Sequence, residues 1–285
     1  LEENKILEKS VLCAYTVSLI IFSPVIASKA KAGQFVVVRA SEEGERIPLT
    51  IAESDAAAGT INLTILKRGK TSSLLCSLNK GDYITDVAGP LGIPSEIEKF
   101  GTVCIIGGGV GIAPTVPIIK AMKEAGNYVI SIIGARNCSG LIFEDTIKKY
   151  SDQYHVCTDD GSMGYKGFVS GFLSQYLKEN PGKKPDRVVA IGPVLMMKAV
   201  CDVTGPGGIK TIVSLNPIMV DGTGMCGSCR VEVDGKTRFG CVDGPEFDGH
   251  LVDFGLLNSR LNIYCDEEKV SNEKYMEKHE CKMKI

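Results

Sequence analysis

Along the first hundred residues, apolar positions come in short runs broken by glycine and proline: GQFVVVRA (33–40), IPLTIAE (47–53), GTINLTILKRG (59–69) and GDYITDVAGPLG (81–92). Runs of this length, with turn residues between them, predict a small antiparallel β-barrel. From residue 102 the rhythm changes. TVCIIG (102–107), YVISIIGA (128–135), HVCTDDG (155–161), RVVAIG (187–192) and KTIVSL (210–215) are strand-like, and helix-length segments such as TVPIIKAMKEAG (115–126) and GFLSQYLKENPG (171–182) lie between them. That alternation predicts a parallel sheet with crossover helices. It stops near residue 218, where a cysteine-bearing segment begins. The charged tail DEEKVSNEKYMEKHECKMKI (266–285) has no apolar stripe, so helix and frayed end both stay open. The expected organisation is a multidomain β plus α/β chain: an antiparallel barrel over 1–98, a parallel-sheet α/β domain over 99–218, and a small C-terminal segment with tail over 219–285.

Bulk properties narrow the function classes. The chain has 285 residues and a formal net charge of -2, which supplies no basic field for nucleic acid or an anionic membrane surface. The most apolar early run, VSLIIFSPVIA (17–27), is too short and broken to cross a bilayer and reads as a buried strand and a turn. Neither a nucleic-acid nor a membrane partner is expected. The 11 cysteines are mostly scattered, without a secreted disulfide framework, and point to a reducing cytoplasm.

Three loops fall at C-terminal strand ends of the predicted parallel sheet, where open α/β sheets bind ligands. GGGVGIAP (107–114) leads from a strand into a helix, offering backbone amides and a helix dipole to a phosphate. Gly107, Gly109 and Gly111 are its candidate contacts, with Pro114 where a third glycine of the dinucleotide fingerprint would stand. Gly192 and Pro193 form the second loop. Asp159 and Asp160 in the third are either acceptors for a ribose hydroxyl, which favours NAD(H), or turn residues. Arg136 is either an adenine-side contact or a surface arginine. In the barrel, ERIPLTI (45–51) sets Arg46 and Thr50 around Pro48, and KRGKTS (67–72) reads as a hairpin offering cations, glycine and hydroxyls to a diphosphate, or as a solvated face.

DGTGMCGSC (221–229) carries the densest chemistry. The spacing Asp221-x4-Cys226-x2-Cys229-x11-Cys241 matches the plant-type 2Fe-2S run in every slot except the first, where aspartate replaces cysteine. Glycines 222, 224 and 227 allow such a loop to wrap a cluster. Structural zinc on Asp and three Cys, a redox dithiol at Cys226 and Cys229, and unligated thiols are the competing readings.

The barrel motifs, G-x-G-x-x-P and the G-P turn together resemble the ferredoxin-NADP+ reductase family over roughly residues 5–218. That resemblance implies FAD in the barrel, with Pro48, Leu49 and Thr50 along the isoalloxazine and Gly69, Thr71 and Ser72 at the pyrophosphate. It also implies that Gly107, Gly109, Gly111, Pro114, Gly192 and Pro193 line an NAD(P) cleft. One position departs from the family: its arginine stands three residues before the Ser/Thr, where this chain has Ile47, and Arg46 lies one residue earlier. Lys67, Arg68 and Lys70 are the alternative cations for the pyrophosphate.

With the cysteine segment included, the chain resembles electron-transfer subunits like that of NAD-dependent dihydroorotate dehydrogenase. Aspartate at the first slot, in VDGTGMCGSCRV and then CVDGPEFDGHLVDF, is closer to the small subunits of NADH-dependent reduced ferredoxin:NADP+ oxidoreductases, which are sulfide dehydrogenase-like. This implies a 2Fe-2S cluster on Asp221, Cys226, Cys229 and Cys241, and electron transfer between NAD(H), FAD and that cluster. It further implies a heterodimer with a larger flavin and 4Fe-4S subunit, through which ferredoxin and NADP(H) are coupled by electron bifurcation. No catalytic acid-base residue is required. The alternatives are service to a dihydroorotate dehydrogenase and, from another class, a nucleotide- and zinc-binding regulatory module.

Overall fold

The computed structural model describes residues 2–42 and 44–280; the last five residues of the charged tail lie outside the described residues. The first hundred residues form strands β1 (Ile6–Cys13), β2 (Thr16–Phe22), β3 (Phe35–Arg39), β4 (Arg46–Asp55), β5 (Thr60–Leu66) and β6 (Asp86–Leu91). They make one antiparallel sheet in the order β1-β2-β5-β4-β3-β6. Strand β4 turns the corner. Its first half, 46–50, pairs with β3, while its second half, from Ile51, pairs with β5 across a bulge. Pro48 therefore sits where β4 has a single neighbour and a missing N–H is tolerated. The sheet ends approach each other: Ile6 N–H donates to Asp82 O at 2.8 Å and Ile84 N–H to Asn4 O at 3.1 Å. Leu19, Ile21, Val36, Val38, Leu63 and Ile65 fill the interior.

The segment KRGKTS is the start of a helix rather than a hairpin. Helix α2 spans Lys70–Ser77, after the short helix α1 (Pro24–Ala27). The reason is local. The Ser72 hydroxyl accepts from the N–H groups of Arg68 and Gly69 at 3.0 and 2.9 Å, taking up donors that the first turn leaves unpaired.

The second sheet contains β7 (Thr102–Gly108), β8 (Tyr128–Ala135), β9 (Gln153–Thr158), β10 (Tyr165–Lys166), β11 (Arg187–Ile191) and β12 (Lys210–Ser214). Helices α3 (Ile112–Glu124), α4 (Glu144–Tyr150), α5 (Val169–Glu179) and α6 (Val194–Thr204) connect these strands. The spatial order β10-β9-β8-β7-β11-β12 reverses direction between β7 and β11. Loops at that switch point diverge and leave a crevice.

After β12 come β13 (Arg230–Val233), β14 (Lys236–Phe239), β15 (Glu246–Asp248), α7 (Phe254–Leu261) and α8 (Cys265–Glu280). Hairpin β13–β14 forms a separate two-stranded sheet bridged to Val252, and β15 pairs antiparallel with β12 and extends the second sheet. The tail is helical through residue 280, and α8 packs on α2.

The three parts meet at Glu246. Its carboxylate accepts from Ser95 Oγ in the connection between the sheets, and a Cβ at Gly33 would collide with that oxygen and lie 3.1 Å from Glu246 Oε1. Burial raises the Glu246 carboxyl above its ordinary value of 4.5. A raised folded-state value means that ionisation opposes folding, beginning above 4.5 and growing up to the folded value. Glu246→Gln, which keeps an acceptor for Ser95, should match the parent below pH 4.5 and exceed its melting temperature by an amount that grows above pH 4.5 and levels off at the folded value. A difference that stays flat or reverses with pH in paired thermal melts would contradict this.

Candidate functional site

Side chains alternate across β3 and β4. Val36, Val38, Ile47 and Leu49 face the barrel interior, which leaves Phe35, Val37 and Arg39 on the outer face opposite Thr50, Pro48 and Arg46. This parity accounts for the displaced arginine. An arginine at position 47 would enter the core, whereas Arg46 shares the outer face with Pro48 and Thr50. Leu49 packs toward the core from the same strand. A cleft of about 500 Å3 opens on the outer face, lined by Val37, Arg39, Arg46, Asp86, Ala88 and Asp221 among others. Arg39, ion-paired to Asp86, has no sequence signature and is visible only from the pairing of β3 with β6. Thr71 Oγ1 donates to Glu45 Oε2 at 3.3 Å, tying the start of α2 to the residue before Arg46. Gly69 has open space around it, and Lys67 precedes it in the same loop.

At the switch point the two glycine loops touch. A Cβ on Gly111 would lie 2.5 Å from Ile191 O and 2.8 Å from Gly192 Cα, and one on Gly107 would lie 2.9 Å from Ile112 Cα. These glycines are required by close packing of the protein on itself. Gly109 differs: its φ is +57° and nothing lies within 4 Å, so its amide edge is open to a ligand. Pro114 lies in the first turn of α3, and Pro193 immediately precedes α6. The Met196 thioether lies over Gly108 and Gly192. Arg136 is exposed at the end of β8, and the N–H groups of Asp159 and Asp160 donate to Ala135 O and Arg136 O. Asp160 also accepts from Ser162 N–H at 2.8 Å, the geometry of a turn-forming aspartate.

The cysteine loop lies on the outer barrel face. Phe35 and Val37 share a buried cluster with Met219, Cys229 and Cys241. Gly222, Gly224 and Gly227 all have positive φ, which lets the loop curl. Cys229 Sγ and Cys241 Sγ are 3.2 Å apart as free thiols. Burial beside Cys229 pushes the Cys241 thiol up, while hydrogen bonding with Ser228 holds exposed Cys226 below its ordinary value. Asp221 accepts from the N–H groups of Thr223 and Cys226, each at 2.8 Å, and the bond from Thr223 is the main cause of its lowered carboxyl pKa. No three His, Cys, Asp or Glu side chains converge as a preformed metal cage among the described residues. The donor set nevertheless fits an iron–sulfur cluster: the Asp221 carboxyl is held toward its ionised form, and the thiols are unpaired by disulfides. The other buried cysteines do not belong to this set. Cys104, Cys157 and Cys201 are pushed to about 12 mainly by burial, as inert core thiols are.

An antiparallel flavin-type barrel joined to a parallel sheet with glycine loops at its switch point defines a pyridine-nucleotide-dependent reductase, here carrying a cysteine loop for an iron–sulfur cluster. Family profiles agree: "Oxidoreductase NAD-binding domain" matches residues 105–202, and "Iron-sulfur cluster binding domain of dihydroorotate dehydrogenase B" matches residues 216–253. The chain is 46% identical over 273 residues to the dihydroorotate dehydrogenase B (NAD(+)) electron transfer subunit homolog of Thermotoga maritima, covering 96% of this chain and 95% of that protein. It therefore belongs to the family of dihydroorotate dehydrogenase B electron-transfer subunits and their homologues. A solved structure of the NADH-dependent reduced ferredoxin-NADP oxidoreductase, studied for flavin-based electron bifurcation, superposes with a TM-score of 0.91 at 45% identity, over 97% of this chain and 99% of that one. Phthalate dioxygenase reductase, at 17% identity and a TM-score of 0.55 over 80% of this chain and 85% of its own, shares the fold.

The two glycine environments predict different losses. Gly111→Ala drives a methyl into the backbone of the facing loop and should mainly cost stability, lowering the melting temperature. Gly109→Ala sets its methyl in the open, ligand-facing space and should weaken NADH binding about tenfold or more, about 1.4 kcal/mol per tenfold, besides about 1–2 kcal/mol of stability for a left-handed residue. NADH titration calorimetry beside thermal melts separates them; an affinity loss in folded Gly111→Ala as large as that in Gly109→Ala would contradict Gly109 as the ligand-facing glycine.

Proposed function

We propose that this chain is the NAD(H)-facing subunit of an electron-bifurcating NADH-dependent ferredoxin:NADP+ oxidoreductase, relaying electrons between NAD(H), FAD and a 2Fe-2S cluster to a larger subunit. One observation carries the reading: Arg46, from the flavin motif, and Asp221, from the cluster loop, line the same cleft. A flavin held on that face borders the cluster loop directly. The same strand β4 meets α3, the helix leaving the glycine loop, and Lys120 on α3 pairs with Glu53 on β4. Strand β4 thus touches both the helix that follows the glycine loop and the cleft shared with the cysteine loop.

Bound FAD would supply the conversion between two-electron hydride exchange with NADH and single-electron transfer to the cluster. The protein holds and aligns these groups. Pro48 and Thr50 support the flavin ring from β4. Arg46, Gly69, Thr71 and the start of α2 receive the diphosphate, with Lys67 as a further cation. Gly109 and the Gly192–Pro193 turn receive the dinucleotide, with Arg136 and Asp159 at its outer end. Asp221, Cys226, Cys229 and Cys241 hold the iron. Flavin and 4Fe-4S centres of the larger subunit supply the branch to ferredoxin and NADP(H), in a heterodimer of the cytoplasm. No helix among the described residues is long and apolar enough to cross a membrane. The boundaries near residues 98 and 218 mark the flavin, nucleotide and cluster modules.

The family profile over 216–253 favours a second reading, service to a dihydroorotate dehydrogenase. The aspartate at the first ligand position argues against it, and adding each type of large subunit in turn distinguishes them. Alone, the chain should reduce an artificial dye with NADH but show no NADPH-dependent ferredoxin reduction; robust bifurcation by the isolated chain would refute the partner requirement. Carboxylate donates less electron density than thiolate, so Asp221→Cys should lower the cluster midpoint in an EPR-monitored titration. An unchanged or higher midpoint would overturn Asp221 as the tuning ligand.

A further inference from the structure

Arg260, near the end of α7, is partly buried against the cysteine loop. Its Nη2 donates to Ser228 O at 3.3 Å, between ligand positions 226 and 229. Its Nε is buried and has no hydrogen-bond partner. Among the described residues, no carboxylate forms a salt bridge with it. Cys226, Ser228, Arg230, Arg260, Ile263 and Tyr264 are among the residues lining one small cavity of about 140 Å3. A guanidinium with one buried, unused donor and no counter-ion is stabilised when negative charge arrives beside it. Adding one electron to an iron–sulfur cluster adds one negative charge, and nearby charge and hydrogen bonds set the potential at which this happens.

We propose that Arg260 is the built-in counter-charge of the reduced cluster, a positioning residue that holds the loop at Ser228 and raises the cluster's midpoint potential. The proposal rests on the reading of residues 221–241 as a cluster site. Arg230 provides an internal contrast. It lines the same cavity but is exposed, so solvent and salt screen its charge.

The test is an EPR-monitored redox titration of the full chain with iron and flavin quantified, comparing the parent with Arg260→Gln, Arg260→Met, Arg260→Lys and Arg230→Gln. Both neutral Arg260 variants should titrate at lower potential than the parent, and Arg260→Lys should stay near it. The FAD midpoint should be the same in all. The Arg230→Gln shift should be smaller and vanish at high salt, whereas the Arg260 shift should persist. Iron-loaded neutral variants with the parent midpoint, or Arg260→Lys shifted as far as Arg260→Gln, would overturn the proposal. Loss of iron from both neutral variants but not from Arg260→Lys would support it by the same charge argument; loss from all three would overturn it in favour of packing. A parent chain without iron–sulfur signal would instead overturn the cluster reading itself.

Discussion

The arrangement of this protein depends on the contact between Gly222 and the outer face of the barrel. A Cβ at Gly222 would lie 2.6 Å from Leu91 Cδ1 and 3.1 Å from Val37 Cγ2, and the residue has a φ of +77°. Only glycine meets both conditions without strain. Because Asp221 precedes it and Cys226 follows within the same curl, this contact sets the cysteine loop beside Arg46 and Pro48. Strand β3 has four apolar residues in succession because both of its faces are covered, one by the barrel interior and one by this loop. Each fully buried valine or phenylalanine stabilises the joint by about 1.5–3 kcal/mol.

Other joints fix the remaining distances. Strand β15 grafts the cysteine segment onto the second sheet, Ser95 and Glu246 lock the connection between sheets, and α3 packs on β4. The redox sites are therefore positioned by packing among three parts of one chain rather than by a linker. Separations in such a relay hold only if these joints do, which is why uncharged side chains carry so much of the assembly.

Most strands were legible because their apolar runs are long and bounded by glycine or proline, as in β3, β7 and β8. The exceptions have physical causes. Strands β10 and β15 span only two and three residues and exist through their neighbours. Helix α2 begins in a charge run whose helical character comes from one hydroxyl, Ser72. The glycine loops and the Asp221 to Cys241 spacing were readable as chemistry, yet the reason for each glycine was not. Gly111 answers to a carbonyl on another strand, and Gly109 to its own backbone angle. Ser95 and Glu246 are 151 positions apart, and Arg260 reaches Ser228 across 32. Neither pairing leaves a local pattern.

The double covering of β3 also bears on how the chain matures. Phe35 and Val37 leave the ribosome long before Met219, Cys229 and Cys241, so the outer barrel face stays bare while the intervening sheet is made. At ~5–20 residues per second that interval lasts roughly ten to forty seconds. During it, a small barrel with an exposed apolar stripe must remain unaggregated.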